Sequence, residues 1–303
     1  MKKLYGVTTA MVTPFNKEGQ VDFEAIKKHT EFLITKGVSA LYPLGTTGEM
    51  LKLTVEERKN IAKTVVQTAN KRVTVFIHTG AMNMEDTLQL SKHAYEIGAD
   101  GIGVVTPIFF PTTDRELEEY YVKVAQSIPE DFPVYLYSIP QCAANDITPE
   151  LAQKIASRCR NVIGIKYSYP DFIRVTEYLE INNGEFSVLP GADRLLTSAL
   201  AMGCDGVVSG VSSAYPEPFV HVYEAFLNQD YNLAEELQRI AVKYCETLKG
   251  GSNLSYFKEA LRLRGMDVGY MRAPQLDITE GELRELEQQL QLLAEEAAFL
   301  FKD

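Results

Sequence analysis

The chain has 303 residues, of which 46% are hydrophobic and 23% charged, and a formal net charge of −11. That length admits one large α/β domain or two smaller ones, in an ordinary globular composition. The acidic balance excludes broad binding to nucleic acid or to an anionic membrane surface, and leaves room only for a local cationic pocket.

The four cysteines, Cys142, Cys159, Cys204 and Cys245, are scattered and form no C-x-x-C pair. This usage points to a reducing compartment, without a disulfide framework or a zinc site. The opening run MKKLYGVTTAMVTPF is interrupted by threonines and reaches Pro14, which suits a first strand better than a signal peptide. No apolar run approaches the roughly 18 residues of a membrane span. A cytoplasmic protein is expected.

Strands are expected at Gly6–Pro14, Ala40–Leu44, Val73–Thr79, Gly101–Thr106, Val134–Ile139, Val162–Ser168, Phe186–Leu189 and Gly206–Ser209. Most are short and rich in Val, Ile, Tyr or Phe, as strands buried on both faces should be. Amphipathic helical stretches separate them, such as DFEAIKKHTEFLITKG and ERKNIAKTVVQTAN. Thr54 with Glu57 forms a capping-box signature, and Thr148 before Pro149 marks another helix start. Such βα alternation predicts a (β/α)8 TIM barrel over residues 1–228, with a doubly wound open sheet as the rival. Polar residues at the ends of several strands favour the barrel. From residue 229 to 303 the pattern is helical: NLAEELQRIAVKYCETLKG, LSYFKEALRLRG and TEGELRELEQQLQLLAEEAAFLF read as three helices of a C-terminal helical domain. The last opens on a capping box of Thr279 and Glu282.

In a barrel, chemistry belongs at the C-terminal strand ends. Lys166 sits near such an end, in NVIGIKYSYP. It either leaves the mouth for solvent or a carboxylate, or is buried as an amine able to attack a carbonyl and form a Schiff base. Gly164 would leave room beside it for substrate. Tyr137, in YLYSIP, is either core packing or a proton shuttle in the same cavity. Gly45-Thr46-Thr47-Gly48-Glu49 is either an ordinary βα turn or one whose amides and hydroxyls converge on an anion. It lacks the lysine of a P-loop and the spacing of a dinucleotide fingerprint. His29, His78, His93 and His221 form no metal-binding pattern, and no G-x-S-x-G elbow occurs. No metal is expected.

GTTGE at 45–49, YSIP at 137–140 and GIK at 164–166, in that order and spacing, resemble the pyruvate-dependent class I aldolases typified by dihydrodipicolinate synthase and N-acetylneuraminate lyase. The resemblance extends over nearly the whole chain. It implies a barrel with C-terminal helices assembled as a homotetramer, acting on a small 2-oxo acid with no cofactor beyond the imine on Lys166. It also implies Tyr137 as the proton-relaying phenol, and Thr46, Thr47 and Gly48 as the carboxylate cradle. Two departures narrow the subfamily. Cys142 stands where dihydrodipicolinate synthases carry an arginine for the second substrate. Phe109 and Phe110 follow Thr106-Pro107 where a relay tyrosine is common. The acidic pair of sialic acid lyases aligns with Asp193 and Arg194, and their Gly-Ser after the eighth strand is reversed as Ser209-Gly210. The expectation is a lyase that cleaves or forms a 2-oxo-3-deoxy sugar acid, resembling N-acetylneuraminate or 2-keto-3-deoxygluconate. Arg194 would meet a second carboxylate or lie in solvent. The alternatives are a dihydrodipicolinate synthase with altered second-substrate contacts and a non-catalytic 2-oxo-acid-binding protein.

Overall fold

Eight short strands, each followed by a helix, run in one direction around a common axis. In the computed structural model, which describes residues 1–298, they are β1 (Gly6–Ala10), β2 (Ala40–Tyr42), β3 (Thr74–His78), β4 (Gly101–Val105), β5 (Val134–Ser138), β6 (Val162–Tyr167), β7 (Ser187–Pro190) and β8 (Gly206–Ser209). Neighbours pair in parallel in the order β7-β6-β5-β4-β3-β2-β1-β8. Between β7 and β8 the Asp205 amide donates to the Val188 carbonyl at 3.2 Å, so the sheet is a nearly closed (β/α)8 barrel. Eight helices form the outer ring: α1 (Phe23–Thr35), α2 (Val55–Ala69), α3 (Met84–Glu96), α4 (Asp114–Gln126), α5 (Pro149–Arg158), α6 (Phe172–Leu179), α7 (Leu196–Ala201) and α8 (Glu217–Leu227). The caps read from sequence are present: Thr54 and Glu57 bond reciprocally, and the Thr148 hydroxyl accepts from the Leu151 amide.

Several strands end earlier than their apolar run. β1 stops at Ala10 rather than Pro14, because the Val12 amide turns away to the Ser213 hydroxyl. β2 stops at Tyr42 rather than Leu44: Pro43 has no amide to give the ladder, and Leu44 has a φ of 68°. The residues beyond these points line the mouth rather than the sheet.

Alternation along each strand separates two cores. Ile165 and Tyr167 of β6 face outward into the large cluster shared with the helices, among them Val175 and Tyr178 of α6. Inside the barrel, Tyr42, Phe76, Tyr135, Leu189 and Val208 form a filled lower layer. Their bulk is accommodated by glycines on the facing strands. A Cβ on Gly103 would fall 1.9 Å from the Tyr42 hydroxyl, and one on Gly164 2.5 Å from the Tyr135 ring. Gly164 therefore makes room for Tyr135, not for substrate.

Three further helices follow, α9 (Tyr231–Thr247), α10 (Ser255–Leu263) and α11 (Glu280–Glu296). The Thr279–Glu282 capping box opens α11; of its expected run, residues 299–301 lie outside the described residues. Leu237, Tyr244, Phe257, Leu286 and Leu290 from these helices join the same outer core as the barrel. Polar ties reinforce the docking. Arg272 pairs with Glu57 at 2.6 Å and donates to the carbonyls of Gly19 and Lys52. Its guanidinium lies 4.2 Å from the Phe15 ring centroid. Among the described residues no helix is long and apolar enough to cross a membrane.

Candidate active site

β6 carries Lys166 on the inward side of the strand, at the top of the filled layer. The residue is only 5% exposed. Its ammonium nitrogen lies 4.1 Å from the ring centroid of Tyr137 and 5.0 Å from that of Tyr42. Among the described residues no carboxylate forms an ion pair with it. The amine thus stands at the mouth against two aromatic rings, with no ion pair engaging it among the described residues.

Tyr137 is the direct cross-strand partner of Lys166 in the β5–β6 register. Its hydroxyl lies 3.2 Å from that of Thr46, linking two strand ends. His78, at the end of β3, meets the Tyr137 ring edge-on at 5.8 Å. Its Nδ1–H donates to the Leu44 carbonyl at 2.9 Å, while Nε2 accepts from the Val105 amide at 3.3 Å. Burial holds its pKa well below the ordinary value, and the charges of Arg58 and Lys166 act the same way. His78 is thus a neutral strut. Arg58 is itself buried, donates to the His78 and Gly80 carbonyls, and has its pKa lowered to about 10, chiefly by desolvation.

The 45–49 turn owes its shape to local backbone. Leu44 and Glu49 have φ values of 68° and 58°. A Cβ on Gly48 would sit 2.8 Å from the Leu44 nitrogen, so only glycine lets the turn close this tightly. Within the turn the amides of Glu49 and Met50 are used, donating to the Thr46 and Gly45 carbonyls. The amides of Thr46, Thr47 and Gly48 donate to no protein acceptor among the described residues. Three free amides and two hydroxyls in succession make a nest for an anion. Thr46 points to Tyr137, and the Thr47 hydroxyl faces Gly210 after β8.

Glu49 does not join that nest. Its buried carboxylate pairs with Lys258 of α10 at 2.8 Å and with Lys52 at 2.6 Å. Lys258 also donates to the Tyr270 carbonyl at 2.7 Å, and its pKa is lowered by burial although Glu49 opposes the shift. The pair ties the turn to the C-terminal helices.

On the other side of Lys166, Asp193 opens a single 3-10 turn after β7. Its Oδ2 accepts from the Val211 amide at 3.3 Å, while Oδ1 is buried without a hydrogen-bond partner among the described residues. Burial raises its pKa to about 6, against the opposing influence of the Val211 amide, the Ser209 hydroxyl and the Lys166 charge. Ser209 is fully buried, and its hydroxyl oxygen accepts from the Ser212 amide at 2.9 Å. Arg194 turns away from this group: it is half exposed and lies 3.8 Å from Glu246 of α9. Cys142 is exposed on the short helical turn Pro140–Ala143. With Thr46, Met50, Leu51, Leu254 and Ile278 it lines a cavity of about 750 Å³ on the outer side of the mouth. Phe109 and Phe110 are about 70% exposed on the loop after β4, their rings edge-on at 5.0 Å. Among the described residues no three His, Cys, Asp or Glu side chains gather as a metal site would require.

The structure thus groups Lys166, Tyr137, Thr46, Thr47, Gly48, Asp193 and Ser209 around one mouth, with Cys142 at its rim and Arg194 outside it. Sequence reasoning missed Tyr42, Arg58 and the Glu49–Lys258 pair, whereas His78 was weighed only against a metal-binding pattern. Only Tyr42 carried a usable signal, since an inward tyrosine on a three-residue strand must reach the barrel axis.

The chain is similar to proteins of one family over nearly its whole length. The 4-hydroxy-tetrahydrodipicolinate synthase of Aquifex aeolicus is 34% identical over 284 residues, covering 93% of this chain and 96% of that one. YagE, a prophage protein of the dihydrodipicolinic acid synthase family from E. coli K12 solved in complex with pyruvate, superposes with a TM-score of 0.91 at 30% identity, covering 96% of this chain and 99% of its own. An N-acetylneuraminate lyase from Proteus mirabilis does so with a TM-score of 0.90 at 28% identity, covering 96% and 99%. The dihydrodipicolinate synthetase family model matches residues 3–293, and the chain belongs to that family as one of its pyruvate-dependent carbon–carbon lyases.

Proposed function

We propose that the protein is a Schiff-base aldolase that reversibly cleaves a 2-oxo-3-deoxy sugar acid to pyruvate and an aldehyde. The observation that carries this reading is the buried amine of Lys166, in no ion pair among the described residues, beside Tyr137 and the free-amide nest. The substrate carboxylate sits on the Thr46, Thr47 and Gly48 amides and the two hydroxyls, which brings C2 to the amine. The neutral amine adds to C2, and loss of water leaves an iminium. Tyr137 gives its hydroxyl proton to that departing water, and the resulting phenolate takes the proton of the C4 hydroxyl as the C3–C4 bond breaks and its electrons pass into the iminium, leaving an enamine and an aldehyde. The proton then returns to C3, and water releases pyruvate. Thr46 holds the phenol in place through the 3.2 Å contact.

The sugar-acid reading is supported by the charges at the mouth. Cys142 supplies no cation, Arg194 is turned to Glu246, Lys52 is held by Glu49, and Arg272 by Glu57. Asp193 and Ser209 offer acceptors suited to hydroxyl groups. A second reading, condensation of pyruvate with aspartate semialdehyde, is favoured by the name of the Aquifex aeolicus relative. Pyruvate release from a panel of 2-oxo-3-deoxy sugar acids, run beside condensation with aspartate semialdehyde, decides between them. Turnover of the semialdehyde alone overturns the first reading, and adduct formation with no turnover anywhere identifies a 2-oxo-acid-binding protein. We further propose a cytoplasmic homotetramer, consistent with four free cysteines and the exposed Phe109 and Phe110, and checked by sedimentation.

A further inference from the structure

Lys166 has two aromatic neighbours, and the mechanism uses only one. Tyr42 reaches from β2 across the barrel interior to β4, where its hydroxyl lies against Gly103. It is fully buried, and the hydroxyl has no hydrogen-bond partner among the described residues. The ring passes beneath the amine, with the nitrogen 5.0 Å from its centroid, inside the range in which an aromatic face attracts a cation. A buried ammonium or iminium normally needs a carboxylate beside it, and none is paired with Lys166 among the described residues.

We propose that Tyr42 is a positioning residue for Lys166: its ring is the floor of an aromatic clamp, completed by Tyr137, that fixes the amine and stabilises its positive charge in place of a carboxylate. This inference rests on the reading of Lys166 as the Schiff-base lysine. The ring, not the hydroxyl, does the work. A carboxylate at that distance would hold the lysine as a firm ion pair and oppose the deprotonation that attack requires. A π-face attracts a cation more weakly than a carboxylate does, so it favours the iminium without locking the amine in an ion pair. The other groups that share an electrostatic influence with Lys166 are Tyr137 on β5, His78 on β3 and Asp193 after β7. Of these, His78 also meets the Tyr42 ring, at 6.2 Å between centroids.

The test is a set of variants at position 42: Tyr42→Phe, then mono-, di- and trifluorinated phenylalanine, and Tyr42→Leu. Fluorination weakens the π-face at nearly constant shape, which separates electrostatics from packing. The rate of pyruvate adduct formation on Lys166, trapped with borohydride, is followed against pH, with thermal melting as the control for folding. The expected result is that Tyr42→Phe retains the parent profile. Each added fluorine then moves the inflection to lower pH, by about half a unit to one and a half units over the series, at unchanged melting temperature. A flat series on a protein that forms the adduct overturns the clamp, as does a Tyr42→Leu profile equal to that of Tyr42→Phe. Absence of any adduct on the parent protein overturns instead the assignment of Lys166 on which the clamp depends.

Discussion

Breaking the Glu49–Lys258 pair should destabilise the protein asymmetrically, depending on which partner is removed. Both side chains are 1% exposed and lie 2.8 Å apart. Replacing Glu49 with Gln leaves Lys258 buried with the Tyr270 carbonyl as its remaining polar partner, and also strips Lys52 of its carboxylate. Removing one member of a buried pair in this way costs roughly 3–5 kcal/mol. Lys258→Met is milder, because Glu49 keeps Lys52 at 2.6 Å, and a cost of about 1–3 kcal/mol is expected. The double variant should lie above Glu49→Gln in stability, since the most deeply buried charge, Lys258, is gone and only Lys52 has lost its carboxylate. Urea unfolding followed by circular dichroism at fixed protein concentration measures all three. Because Glu49 adjoins Gly48, the half-saturating pyruvate concentration for adduct formation should rise in Glu49→Gln as the nest loosens. Equal losses in the two single variants, or a double variant less stable than Glu49→Gln, would refute the reasoning.

Other perturbations probe different parts of the account. Burial lowers the His29 pKa from 6.5 to about 4, so the folded state holds the ring neutral while the unfolded chain takes up a proton below pH 6.5. This stability is complete above pH 6.5 and is lost as pH falls towards 4, by about 3 kcal/mol, with His78 acting in the same direction. His29→Gln, which keeps a donor for the Ser213 carbonyl, should flatten the urea midpoint against pH in that window, and a parallel profile contradicts it. Tyr42→Phe deletes an unpartnered buried hydroxyl and should stabilise by about 1 kcal/mol. Gly103→Ala drives a Cβ into that hydroxyl and should cost about 1–3 kcal/mol, partly relieved by Tyr42→Phe; additive effects of the two refute the contact. Tyr137→Phe should lower kcat roughly 10²- to 10⁴-fold while the Lys166 adduct still forms, and wild-type turnover in that variant removes the phenol from the mechanism.

The parts of the molecule legible in the sequence are those written in local pattern. Each strand announced itself through a short apolar run, and several helices through a cap such as Thr54–Glu57 or Thr279–Glu282, because caps and periodicity are properties of adjacent residues. Strand ends were read too long at β1 and β2, where apolar residues leave the ladder to line the mouth. The place of Lys166 near a strand end was readable, and its burial and lack of an ion pair were not, since those depend on what the other strands bring to the axis. Arg194 shows the same limit: Asp193 and Arg194 are neighbours in one 3-10 turn, yet one carboxylate oxygen is buried and the guanidinium meets Glu246 on α9. Glu49 finds Lys258 across more than two hundred positions, and nothing local to either residue records the pairing.

The central claim is that Lys166 attacks a 2-oxo acid, and trapping tests it most directly. The protein is incubated with pyruvate, reduced with borohydride, digested and read by peptide mass spectrometry. The account predicts a pyruvate-derived, reduced adduct on Lys166 and no such adduct on Lys258, which is equally buried but held by Glu49. An adduct confined to other lysines, or none at all, would contradict it.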